Sequence, residues 1–73
     1  MTYRELYRAL RAQLEEGGVD APAFDAACLL ERFAGLRRGG LPLKGAEPVP
    51  PEAEAQALRA GRRRAAGEPL QYL

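Results

Sequence analysis

β-Branched residues are almost missing from this chain: Thr2, Val19 and Val49 are its three, and there is no Ile. Against them stand 14 Ala, 11 Leu and 10 Arg. Strands draw on β-branched and aromatic side chains, whereas Ala, Leu and Arg are the strong helix formers. The expectation is therefore an all-α fold. With 73 residues there is room for one small domain whose core is modest on its own.

The helices can be placed from their end signals and apolar spacing. Thr2 and Glu5 have the spacing of a capping box, and Tyr3, Leu6, Tyr7, Leu10 and Leu14 then fall on one helical face. Gly17-Gly18 ends that helix, giving a span of 2–16. Asp20-Ala21-Pro22 opens a second helix, with Asp20 or Ala21 at the cap and Pro22 in the first turn. Ala26, Leu29, Leu30 and Phe33 form its stripe, and Phe24 and Cys28 project from the other side. A helix apolar on two sides belongs at the centre of a bundle, so 22–34 is placed there, stopped by Gly35.

Glycine and proline crowd residues 36–50, where a short helix near 36–41 is expected and Leu36, Leu41, Leu43 and Val49 are spaced to anchor the connection. Pro51 starts the last long helix, 51–66, with Glu52 and Glu54 at its positive end and Arg62, Arg63 and Arg64 in its last turns. Leu58, Gly61 and Ala65 line one face of it. Having one large apolar residue, this helix must approach its neighbours closely or pack loosely. Gly67 stops it, and a terminal turn near 69–73 follows. The sum is a small bundle of about four to five helices.

The chemistry available is sparse. There is no His, Ser, Asn or Trp, so Ser-His-Asp hydrolysis, histidine general-base catalysis and histidine metal sites are excluded. Cys28 is the sole thiol, and with no imidazole or adjacent cation to activate it, it reads as a small core residue. Glu15-Glu16 and Glu52/Glu54 diverge on a helix and form no acid–base dyad. The Gly pairs lack any phosphate-loop spacing. No catalytic, cofactor-binding or metal-binding residue is assigned. A net charge of +1 gives no general pull toward nucleic acid, and no stretch is long enough to cross a bilayer or act as a secretion signal. The protein is expected in the cytoplasm, as a monomer without membrane association. Consecutive helical residues point about 100° apart, so the arginine triplet cannot make one flat patch.

The run Arg63-Arg64-Ala65-Ala66-Gly67-Glu68-Pro69-Leu70-Gln71-Tyr72-Leu73 resembles the R-R-x-x-G-E-P-[LIV]-x-[YH]-L stretch of the HemK/PrmC family of release factor glutamine methyltransferases. Phe24-Asp25-Ala26-Ala27-Cys28-Leu29-Leu30-Glu31 is similar to that family's L-D-A-E-x-L-L-x run, and Tyr3-Arg4-Glu5-Leu6 and Gly18-Val19-Asp20-Ala21-Pro22 fit its first two helix starts. The resemblance covers the whole chain.

It implies that residues 1–66 are an N-terminal helical substrate-recognition domain and that 67–73 begin the linker to a catalytic domain absent from this chain. In the family, the catalytic domain carries S-adenosylmethionine and an Asn-Pro-Pro-Tyr motif. It methylates the side-chain nitrogen of the glutamine in the Gly-Gly-Gln motif of peptide release factors. The implied partners are release factors and the chain's own catalytic domain in cis, with Arg62, Arg63, Glu68, Gln71 and Tyr72 as candidate contacts. For Glu68 to Tyr72, docking of the catalytic domain is the preferred role. Two departures stand out: Ala57, Ala60 and Gly61 replace larger apolar residues, which implies low stability for the isolated domain, and the Gly- and Pro-rich 36–48 implies a frayed third helix. The competing reading is a free-standing helical adaptor that binds RNA or a ribosomal or protein surface through its arginines.

Overall fold

The computed structural model describes residues 1–73 and consists of helices α1 (Tyr3–Glu16), α2 (Pro22–Ala34), α3 (Leu41–Lys44) and α4 (Pro51–Ala65), followed by a 3₁₀ turn at Leu70–Tyr72. It is all-α, with a single isolated backbone bridge between Thr2 and Pro48.

The capping box at the start of α1 is complete. The Thr2 hydroxyl accepts from the Glu5 N–H at 3.1 Å, and the Glu5 carboxylate accepts from the Thr2 N–H at 2.8 Å. The next free amides of α1 are taken up from outside the helix. Tyr3 N–H donates to the Glu47 carbonyl at 3.1 Å and Arg4 N–H to that of Gly45 at 3.0 Å, while Val49 N–H donates to Met1. The connection after α3 is thereby tied to the start of the chain. Leu6, Leu10 and Leu14 are fully buried, with Tyr3 and Tyr7 at the edge of the core.

In α2, Ala26, Leu29 and Leu30 are buried, and Gly35 ends the helix at φ +73°, a conformation that favours glycine. Ala21 occupies the cap position, without a side-chain hydrogen bond. Helix α2 is not central: α1, α2 and α4 each pack against the other two. Its second apolar side meets no helix. Phe24 is 49% exposed, and its ring is covered by the Arg38 guanidinium 4.6 Å away.

The short helix falls at 41–44 and not at 36–41. Gly39 sits at φ +80° and the Gly40 N–H bonds back to the Arg37 carbonyl, which makes residues 37–40 a turn. Pro42 then suits the first turn of α3. Of the four expected anchors, Leu36 and Val49 are buried and Leu41 packs against the core, but Leu43 is 87% exposed. Two residues along a helix is a rotation of about 200°, so with Leu41 turned inward, Leu43 must face out.

Helix α4 resolves its shortage of large side chains by close approach. Its buried residues are Ala57, Ala60 and Gly61, and Leu58 lies at the edge. A Cβ on Gly61 would lie 2.8 Å from a Leu10 methyl, and one on Gly17 would lie 2.8 Å from the Ala65 Cα. Helices α1 and α4 therefore approach closely at two points, backbone against backbone where Gly17 meets Ala65 and side chains of Leu10 and Gln13 against bare backbone at Gly61, and the missing volume in α4 is filled by proximity. The Gln13 amide donates to the Leu58 carbonyl at 3.4 Å across the same seam.

Candidate interface at the C-terminal junction

The last turns of α4 and the residues after it carry the charged side chains with the most definite geometry. Arg62, Arg63 and Arg64 fan outward as helical rotation demands, and each has a different environment. Arg62 is exposed and has no ion-pair partner. Arg63 forms a two-pronged pair with the Glu68 carboxylate, the Nη2–Oε1 contact being 3.0 Å. Arg64 turns inward: its Nε donates to Asp25 Oδ2 at 3.0 Å and its Nη1 to the Glu68 carbonyl at 3.3 Å.

Asp25 is the one buried charged residue of the chain, at 6% exposure. It lies in the first turn of α2, where the positive end of the helix dipole also favours a carboxylate. The Arg64 bridge joins the C-terminal end of α4 to the start of α2 and holds the backbone of residue 68 as well. A further guanidinium fixes the tail from the other end of α2: Arg32 Nη1 donates to the Leu70 carbonyl at 2.9 Å while lying 5.4 Å from the centre of the Phe33 ring. Leu70 and Leu73 pack against the core. Residues 68–73 are thus held by three arginines and two leucines, and 67–73 is a docked segment of the bundle.

Hydrogen bonding to Arg63 holds the Glu68 carboxyl below the usual glutamate range, and the same contact raises the Arg63 guanidinium. Both are solvent-facing, so the pair contributes little to stability and is screened by salt. Beside it lies a shallow cleft of about 140 Å³, lined by Phe33, Gln56, Arg59, Ala60, Arg63 and Leu73. Of the five candidate contacts, Arg63 and Glu68 are brought together, and Gln71 and Tyr72 stand exposed on the terminal turn, Tyr72 at 70%. Arg62 stands apart on the helix.

Asp25 and Arg32 belong to this junction and were not singled out by sequence reasoning. Asp25 did carry a signal. It lies four residues before Leu29, hence on the inward face, where a carboxylate requires a cation. Arg32 carried none, because its partner is a backbone carbonyl. Glu52 accepts from Gln56, Glu54 pairs with the N-terminal amine at 2.7 Å, and no three His, Cys, Asp or Glu side chains converge on a metal position. No helix is long and apolar enough to cross a membrane.

The model of the PrmC N-terminal domain matches residues 5–73. The release factor glutamine methyltransferase of Deinococcus radiodurans is 44% identical over 73 residues, which are all of this chain and 26% of that protein. The chain therefore spans about a quarter of the relative it matches. No solved structure gives a match. The two sequence runs that resemble this family, around Asp25 and around Arg63 to Leu73, are the two ends of the Arg64 bridge. The chain belongs to the PrmC N-terminal domain family.

Proposed function

We propose that these 73 residues are the non-catalytic N-terminal domain of an S-adenosylmethionine-dependent methyltransferase acting in the cytoplasm during translation termination. The enzyme methylates N5 of the glutamine in the Gly-Gly-Gln motif of peptide release factors, and this domain helps hold the release factor beside a catalytic domain joined in cis. The observation that carries the reading is the family match over residues 5–73, together with the 44% identity to a release factor glutamine methyltransferase. The residues themselves agree with a positioning role. The glycines of this chain sit at helix ends, in turns or at the α1–α4 seam, and we place the S-adenosylmethionine site in the catalytic domain. The methyl transfer is therefore assigned to no residue of this chain.

The docked tail supports a second part of the proposal. With residues 68–70 held by Arg32, Arg63 and Arg64, the chain leaves Leu73 in a set direction, and Gln71 and Tyr72 present an exposed face to whatever follows. Arg62 remains available to the release factor. The alternative of an RNA-binding adaptor working through Arg59, Arg62, Arg63 and Arg64 loses support here, because two of those four arginines, Arg63 and Arg64, are occupied by Glu68 and Asp25. A charge-reversal scan of Arg59, Arg62 and Arg63 in the enzyme that includes the catalytic domain tests the role. We expect Arg62→Glu to raise KM for the release factor several-fold at an unchanged kcat, the mark of lost binding without lost chemistry. If no reversal moves KM, this arginine face takes no part in holding the release factor, and if the otherwise unmodified enzyme without residues 1–66 keeps its KM for the release factor, the positioning role fails.

A further inference from the structure

Residues 32–46 carry four cations, Arg32, Arg37, Arg38 and Lys44, and no carboxylate, in a chain whose net charge is only +1. Arg32 is engaged with the Leu70 carbonyl, but Arg37, Arg38 and Lys44 take part in no ion pair. Arg37 and Lys44 line an open groove of about 330 Å³ together with Gly35, Leu36, Gly40 and Leu43, while Arg38 lies over Phe24. Among its lining residues Leu36 is buried and two are glycines without side chains, and Leu43 is the most exposed large apolar residue of the chain. Leu43 cannot turn inward, because Leu41 holds α3 to α1 through its carbonyl, which accepts from Arg4 at 3.3 Å. An apolar slot rimmed by unpaired cations is a surface with one half of a complementary pair.

We propose that this groove is a docking site for an acidic segment of the protein substrate, which places an aliphatic or aromatic side chain beside Leu43 and carboxylates against Arg37 and Lys44. This deepens the reading above and rests on it, since it takes the release factor as the occupant. The chemistry favours protein over nucleic acid. A strand of RNA needs free aromatic faces to stack on and a track of cations for its phosphates. The nearby aromatic, Phe24, already has its face covered by Arg38, and the Gly35, Leu36 and Gly40 amides of the groove already donate to backbone carbonyls, which leaves a phosphate chain two separate cations and no continuous track.

Site-specific photocrosslinking to purified bacterial release factor tests this, with p-benzoylphenylalanine placed in turn at Leu43, at Arg62 and at Glu16. Glu16 is exposed at the far end of α1 from the Arg4 contact with α3. Crosslinks from position 43 and not from 16 are expected. The double variant Arg37→Glu/Lys44→Glu should weaken release factor binding about ten- to hundredfold at low salt, less as salt rises, and Leu43→Asp about tenfold. All three side chains are exposed, so the bundle should keep its helical circular dichroism, and a loss of binding reports the surface. Crosslinks from 62 without any from 43 would overturn the groove and leave the function standing. Absence of release factor binding by the unmodified protein would overturn both. A labelled 20-nucleotide single-stranded RNA that binds, and is lost in the double variant, would overturn the protein occupant in favour of RNA.

Discussion

Arg62, Arg63 and Arg64 are neighbours in sequence with unequal worth, and the difference is one of helical rotation. Arg64 points into the bundle, where Asp25 lies buried against it. Its removal leaves a carboxylate without its cation, so Arg64→Ala should destabilise the fold by about 2–3 kcal/mol, below the range for a fully buried pair because Arg64 is partly exposed. Arg62→Ala should stay within about 0.5 kcal/mol, as for a surface residue without partners. Urea denaturation of the two variants measures this, and equal midpoints would contradict the assignment. The divergence of the triplet was legible in the sequence from helix geometry alone. The partner of Arg64 was not, because pairing α4 with α2 requires knowing how the helices cross. Leu43 shows the same limit in reverse: its spacing from Leu36 and Val49 suggested an anchor, but its direction depends on where the preceding turn ends.

The three long helices were legible almost to the residue because each carries its own punctuation: the Thr2–Glu5 capping box, Pro22 and Gly35, then Pro51 and Gly67. The short α3 was misplaced because Gly39 takes the left-handed conformation, a choice set by the surrounding turn. How α4 packs was open between close approach and looseness, and the structure has close approach. Gly61→Ala isolates that choice. Alanine favours a helix by about 1 kcal/mol over glycine, while forcing a methyl against the Gln13 amide oxygen and fully buried Leu10 costs about 1–3 kcal/mol. Net destabilisation is expected. At Gly17 the added methyl meets the backbone of Ala65, which cannot swing aside, so Gly17→Ala should be the more damaging of the two. Thermal melts order them, and a stabilised Gly61→Ala would show that the α1–α4 seam is loose.

At the scale of the whole molecule, titration and function meet the same architecture. Glu5 is held below the ordinary glutamate value mainly by the Thr2 N–H, and Glu68 by its hydrogen bond with Arg63. Groups depressed in the folded state stabilise it above their unfolded value, about 4.3, and that stability is lost as pH falls through their folded values. The N-terminal amine is raised chiefly by its hydrogen bond with Glu54, so its contribution is full below about 8 and is lost as pH rises through its folded value. The melting midpoint should therefore be flat near neutrality and fall on both the acid and alkaline sides, and Glu68→Gln should blunt the acid fall. A midpoint that rises below pH 4 would contradict this. The family was legible through one resemblance, the terminal run from Arg63 to Leu73, and the match over residues 5–73 agrees with it. Which surface meets a partner was not legible, since exposure is set by the packed bundle. The division of labour between this domain and the chemistry is tested most directly by calorimetric titration of the 73-residue chain with purified release factor and, separately, with S-adenosylmethionine. Saturable heat with the release factor and none with the cofactor is the predicted result; micromolar binding of S-adenosylmethionine without any of the release factor would contradict it.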